Sequence, residues 1–219
     1  MDERSDDVKD HFVRVFKEQI KRPGSAELLD WLEKSTFFQD PASTRFHLSR
    51  PGGLVEHSVH VYERLKQLCE CEALNNPNFK EPEPESIAIA GLLHDLCKIG
   101  VYVQEPKNQK TYDPEKVAAA NSWQVKHDQL GDFIWETVIG YRFEDPMPYG
   151  HGEKSVYIIS GFMKLKREEA MAIRWHMGPW RKGEEQDSSK AFDLYPLALM
   201  THLADMMATH IDDLEGGSS

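Results

Sequence analysis

Apolar residues recur at helical spacing through most of the chain, and breakers separate the runs. Val8, Phe12, Val15 or Phe16 and Ile20 fall three or four apart in VKDHFVRVFKEQI; Pro23-Gly24 interrupts them, and Ser25 is placed to cap a second run, AELLDWLEK. Residues 1–35 therefore predict a helical cap packed on whatever follows. FFQDPASTRFHLSRPGG has no sustained period and reads as a loop. Leu54, Val61, Leu65 and Leu68 mark a helix from residue 54 to about 71, closed by the proline-rich NNPNFKEPEPE. ESIAIAGLLHDLCK is apolar nearly all round, with Pro84 where helix starts tolerate proline, so it predicts a buried central helix that carries His94 and Asp95 inside. Between 100 and 145 the period shortens to two: VYVQE alternates, and Trp135, Thr137, Ile139, Tyr141 and Phe143 share one side of a strand. The helical period returns in HGEKSVYIISGFMKL, in REEAMAIRWHM and in PLALMTHLADMMATHI. The expected fold is all-α, a helical bundle spanning residues 36–213 with a small β-hairpin insertion around residues 100–145. Residues 214–219 are expected to form a disordered tail.

Composition narrows the class. Apolar residues make up 40% of the 219 and charged ones 29%, which suits a globular chain. No stretch approaches the roughly 20 apolar residues of a spanning helix, and MDERSDDVKDHF is too charged for a secretory signal, so a cytoplasmic protein without a membrane partner is expected. The formal charge of −11 disfavours broad binding to duplex nucleic acid, but a local cluster of Lys and Arg can still hold one small anion. Cys69, Cys71 and Cys97 are odd in number and lack zinc-knuckle spacing, which reads as reduced thiols.

The chemistry concentrates in the apolar helices. An unpaired carboxylate at Asp95 would cost several kcal/mol to bury, so it is either hydrogen bonded to His94 as a structural pair or neutralised by a metal ion. His57, early in a helix after small residues, and Asp205, among Ala204, Met206, Met207 and Ala208, are further donors in apolar company. Imidazole and carboxylate together suit Fe, Mn, Co, Ni or Zn.

These residues, as GGLVEH ending in His57, LLHDLCK with His94 and Asp95, and LADMMATHID with Asp205, resemble the His…His-Asp…Asp pattern of the HD-domain superfamily of metal-dependent phosphohydrolases. GHGEKS, with His151, and IRWHMG, with His176, extend the resemblance to its six-ligand members. FFQDPASTRFH, PGGLVEH and WHMG are similar to the HD domain of bacterial 3′–5′ exoribonucleases, and to small stand-alone HD hydrolases of bacteria and phages. The resemblance implies an HD-domain helical bundle with one or two divalent ions (Mn, Fe, Co, Ni, Zn or Mg). His57, His94, Asp95 and Asp205 would hold one ion, and His151 and His176 a second, with Asp95 bridging. It implies attack of metal-activated water on phosphorus, with a nucleotide or short single-stranded oligonucleotide as substrate. Cys97 stands where the family's HD-Ile-Gly-Lys run has glycine.

Around the ligands, Lys98 reads either as a phosphate contact with a catalytic role or as a cation offsetting a helix dipole. Lys154, one turn after His151, is the better anion contact, and Arg174 is expected to point away. Arg45 and His47 are candidate substrate contacts in the loop. His60 and His202 can orient neighbours of the site or simply pack, Glu56 and Glu153 can act as acid or acceptor, and Trp123, Tyr149, Trp175 and Trp180 can stack a base or fill the core. Two rivals share this sequence: a mixed-valent di-iron oxygenase using the same six ligands, and a metal-stabilised regulatory or partner-binding module whose ion is fully enclosed.

Overall fold

Nine α-helices and three strands order the described residues, and the helices gather around one apolar core. The computed structural model describes residues 3–44 and 47–214; Arg45 and residues 215–219 of the expected tail lie outside them. Helices α1 (Glu3–Gln19) and α2 (Ser25–Lys34) are followed by a long loop, then α3 (Gly53–Asn75) and α4 (Pro84–Leu93). After the β segment come α6 (His151–Ser160), α7 (Arg167–Trp175), α8 (Glu185–Leu194) and α9 (Pro196–Met207). Phe12, Phe16, Leu28, Leu32 and Phe37 from the N-terminal helices and the turn after them are almost fully buried in the same cluster as Leu54, Leu65, Ile89, Leu92 and Leu93.

Glycines set two of the close approaches. Gly24, with φ 90°, opens α2 in place of a Ser25 side-chain cap, and a Cβ on it would fall 1.9 Å from the Phe162 carbonyl oxygen. Gly91 lets α4 cross α3 so tightly that a Cβ there would lie 2.6 Å from Tyr62 Cα.

The structure differs from the sequence expectation in three places. Helix α4 ends at Leu93 rather than running through the HD pair: His94 is still right-handed, but Asp95 turns out at φ −105°, ψ 19°, and a short 3₁₀ turn follows at Leu96–Lys98. That sparsely populated backbone region is common at functional sites, and it frees the Asp95 carboxylate from the 100° offset of adjacent helical residues. The expected hairpin insertion is present and gains a third strand, forming an antiparallel sheet in the order β1 (Tyr102–Thr111), β3 (Gly131–Phe143), β2 (Lys126–Asp128). A short helix, α5 (Pro114–Ala119), is capped by the Asp113 carboxylate between β1 and β2. Finally, α8 is a helix that its polar sequence, EQDSSKAFDL, concealed.

One polar network locks the N-terminal helices to the bundle. Arg22, in the α1–α2 turn, donates two hydrogen bonds to Glu169 of α7, at 2.7 and 2.8 Å, and a third to Glu85 of α4 at 3.0 Å. Glu169 is fully buried and also accepts from Ser86 Oγ and the Lys166 amide, each at 2.7 Å. Burial alone would raise the Glu85 carboxyl, but the Lys21 and Arg22 amides and the Arg22 guanidinium hold it below its ordinary value of 4.5.

Arg22→Met should cost about 3 kcal/mol or more in urea unfolding at neutral pH, because it strands the Glu169 charge in the core. A depressed carboxyl contributes stability above its unfolded pKa and loses it as pH falls through the folded one. The gap between wild type and variant should therefore narrow below about pH 4.5; a gap independent of pH would show that Glu85 contributes nothing to it.

Candidate metal centre

Six side chains from five segments converge on Asp95 behind the long loop. His57 comes from the first turns of α3, His94 from the end of α4 and Asp95 from the residue after it; His151 opens α6, His176 follows α7, and Asp205 lies in α9. Every member but His151 is buried. His57 Nε2 is 3.2 Å from Asp205 Oδ1, 3.3 Å from His94 Nε2 and 3.6 Å from Asp95 Oδ2, while His94 Nε2 is 3.4 Å from Asp95 Oδ2. The other Asp95 oxygen, Oδ1, is 2.9 Å from His151 Nε2 and 3.4 Å from His176 Nε2.

The far side of each buried ring is anchored. His57 Nδ1–H donates to Asp213 Oδ2 at 2.7 Å, His94 Nδ1–H to the Gly91 carbonyl at 2.9 Å, and His176 Nδ1–H to the Ile173 carbonyl at 2.7 Å. A histidine that gives its Nδ1 proton to a carboxylate or carbonyl presents a lone pair at Nε2, the arrangement typical of metal-ligating imidazoles. His57 Nε2 and His94 Nε2 then face each other at 3.3 Å with a lone pair each, which requires a proton or a cation between them. His176 Nε2 is buried with no hydrogen-bond partner. Among the described residues, donor atoms within 4.8 Å of one another form four linked groups, His47–His57–Asp213, His57–His94–Asp205, His94–Asp95–His176 and Asp95–Cys97–His151. The donor set fits one or two divalent ions that share Asp95.

Protons and Lys98 balance the acids. Burial would lower the His57 pKa, but Asp205 and Asp213 raise it to about 9. Burial would raise the Asp95 carboxyl, yet Lys98 and the surrounding imidazoles hold it well below the usual carboxylate range. The Lys98 ammonium is 2.7 Å from Asp95 Oδ2. Its pKa is raised above the ordinary lysine value by Asp95 despite burial.

Asp213 was invisible in the sequence, where it borders the expected tail. Helix α9 widens into a π turn over Ala208–Asp212, closed by the Asp213 amide donating to the Ala208 carbonyl. This turn seats the buried Asp213 carboxylate between His57 and His60 Nδ1, the latter at 2.6 Å. Burial would raise the Asp213 pKa, but these two imidazoles hold it at about 2. Arg64 pairs bidentately with Asp212 and holds the same turn from outside. His60 thus orients Asp213 rather than a ligand of its own, and His202 donates to the His176 carbonyl at 2.6 Å while stacking on Phe192.

A cleft of about 730 Å³ opens beside the cluster and is lined in part by His47, Cys97, Lys98 and His151. Tyr102 and Phe143, the paired ends of β1 and β3, form one wall, with their rings 6.1 Å apart. Met177, Trp180 and Arg181 are also part of the lining. Lys154 also lines it but is buried and paired with Asp145 at 2.6 Å. Arg174, expected to point away, is a lining residue as well, held by Glu153 at 2.8 Å and Glu184 at 2.9 Å. Burial, then the nearby His57 and Lys98 cations, lower the His47 pKa to about 4, so its ring is neutral at pH 7. His47 Nε2 is buried without a hydrogen-bond partner. Glu56 pairs with Arg50 at 2.6 Å. Of the aromatic candidates, Trp175 is core, Trp123 and Tyr149 are exposed away from the lining, and Trp180 is at the cleft.

A family model described as an HD domain matches residues 54–139, which include His57, His94, Asp95 and Lys98, and supports the HD-domain superfamily. HD domains are typically metal-dependent phosphohydrolases. No curated protein and no solved structure matches the chain. Among the described residues no helix is long and apolar enough to cross a membrane.

Asp213→Asn keeps the shape but weakens the acceptor behind His57. It should lower affinity for the tighter-bound ion about 10- to 100-fold, read as faster loss of metal to a chelator with the fold intact by circular dichroism.

Proposed function

We propose that the chain is a divalent-metal-dependent phosphohydrolase of the six-ligand HD type, acting on a phosphate ester of a nucleotide or short single-stranded oligonucleotide. The observation that carries this is the inward-facing set of Nε2 atoms of His57, His94 and His176 around Asp95, each with its opposite nitrogen anchored, beside a cleft of substrate size. His57, His94, Asp95 and Asp205 would hold one ion, and Asp95, His151 and His176 a second. Divalent ions held there would lower the pKa of a coordinated water and grip phosphoryl oxygens, so that a P–O bond forms to water as the bond to the leaving group breaks.

The chain's own residues do the rest. Asp95 orients both groups of imidazoles and is itself held by Lys98, whose ammonium reaches the cleft beside it and is placed to meet a phosphoryl oxygen. Neutral His47, with a free Nε2 at the same lining, is a hydrogen-bond partner for the ester. Arg45, two residues before His47 in the sequence, is proposed as a further substrate contact. Lys154 is already committed to Asp145, so its charge acts through a pair. Arg181 makes no ion pair among the described residues and offers its guanidinium to an anion at the cleft, next to the exposed ring of Trp180. Tyr102 and Phe143 supply an aromatic wall suited to a base.

The cleft weighs against a regulatory module with an enclosed ion, since Cys97, Lys98 and His151 border it directly. The hydrolase and the di-iron oxygenase part on their products: phosphate released with Mn²⁺ or Mg²⁺, against oxygen consumed with iron.

Asp95→Asn and Asp95→Ala should each lose bound metal and reduce phosphate release from nucleotides or short oligonucleotides by more than about 100-fold. Full metal content and turnover in a folded variant would overturn the assignment. Arg181→Ala should raise KM about fivefold with little change in kcat, the signature of uniform substrate binding.

A further inference from the structure

The β segment buries little of itself. β1 and β3 pair from Tyr102 opposite Phe143 to Thr111 opposite Ile134, yet within the two strands only Phe133 and Tyr141 are buried. β2 pairs with β3 at Gly131–Phe133 alone, and α5 buries none of its own residues. Along residues 134–143, therefore, no strand among the described residues covers the second edge of β3. A two-stranded ribbon is marginal in water, and three or more strands are needed for independent stability.

The two edges of this ribbon differ in sequence. Open edges are kept from pairing with other chains by proline and lysine placed on them. β1 carries Pro106, Lys107 and Lys110, whereas β3 has neither residue type from Gly131 to Phe143. It is built instead of strand-forming residues, with Trp135, Thr137, Ile139, Tyr141 and Phe143 on one face and Ile134 and Val138 on the other. Ile139 is 64% exposed, Phe143 58% and Trp135 51%, so the apolar face is open as well as the edge. The charges within 133–143 are Glu136 and Arg142, both on the face opposite the aromatic residues.

We propose that β3 pairs antiparallel with β3 of a second copy of this chain about a two-fold axis at Ile139, joining two ribbons into one four-stranded sheet. Charge complementarity selects both the occupant and the register. Pairing centred on Ile139 sets Glu136 opposite the partner's Arg142, twice by symmetry, and on the other face sets Trp135 opposite the partner's Phe143 and Thr137 opposite the partner's Tyr141. Moving the axis by one residue sets Glu136 opposite the partner's Gly140 or Glu144 and loses both pairs. Glu136 and Arg142 already make solvent-exposed ion pairs, with Lys116 and with Glu105 and Glu144, so the new pairs fix register while the backbone ladder and the apolar face supply affinity. The pairing reaches the cleft. Phe143 is part of its wall, and the partner's Trp135 beside it would extend that wall by one ring.

Sedimentation of the full chain tests this without reference to turnover. The wild type should be a dimer at micromolar concentration. Ile139→Lys changes an exposed side chain and places two ammonium groups face to face at the axis, so it should be a folded monomer by circular dichroism. Arg142→Glu and Glu136→Arg should each raise the dimer dissociation constant about tenfold, and both together in one chain should restore it to within about threefold. In a Cys71→Ser background, which removes the exposed thiol, Ile139→Cys should form a covalent dimer on mild oxidation faster than Val138→Cys, whose opposite residue is the partner's Gly140. A wild type that stays monomeric at about 100 μM, or a dimer that survives Ile139→Lys, would overturn the interface. A charge exchange that fails to restore pairing would overturn its register.

Discussion

A buried carboxylate encircled by imidazoles that cannot turn away governs this structure. Asp95 is 2% exposed, and it faces four histidines and a lysine. Because His57, His94 and His176 spend their Nδ1 protons on Asp213, Gly91 and Ile173, their other nitrogens are fixed inward. Three lone pairs and two carboxylates in a region of low dielectric repel unless positive charge lies among them. The protonated His57 and the Lys98 ammonium supply it here, and a divalent ion held among these donors would supply more of it in less space.

Several otherwise unrelated features serve this one constraint. The α4 helix ends at Leu93, two residues before Asp95, so that the Asp95 carboxylate can reach both groups of donors, and Gly91 supplies both the carbonyl that fixes His94 and the close crossing of α3 that brings His57 alongside. The π turn after α9 returns Asp213 to α3, where one carboxylate orients His57 with one oxygen and binds His60 with the other. Arg22 holds α4 and α7, the helices that deliver His94 and His176, through two carboxylates. The fold thus fixes ligand direction by hydrogen bonds to backbone and acid, and fixes helix position by packing.

The helices and the six converging side chains were legible because both signals are local or nearly so. Apolar periodicity marks α1, α3, α6, α7 and α9, and buried acids and imidazoles stand out in apolar runs such as IAGLLHDL and LADMM. Asp213 was not legible: its neighbours Asp212 and Leu214 give no apolar frame, and only the π turn brings it into contact with His57. Helix α8 failed for lack of apolar contrast, since Ser188 and Ala191 are the residues it buries. The sheet needed pairing across 20 to 40 residues, which a period of two in one strand does not specify.

Charge within the cleft explains how a chain of net charge −11 can receive an anionic ester. Its lining places Lys98, Lys154, Arg174 and Arg181 against Asp145, Glu153 and Glu184, with Asp95 just behind Lys98, so fixed charges nearly cancel. Such a cleft has little attraction of its own for phosphate. In the proposed reading, bound dications would provide the positive potential and the paired residues would keep that potential local, since Lys98, Lys154 and Arg174 are each held by an acid a few ångströms away. Substrate affinity and metal occupancy then become one linked equilibrium, and the acidic surface discourages long polyanions that would have to extend beyond the cleft.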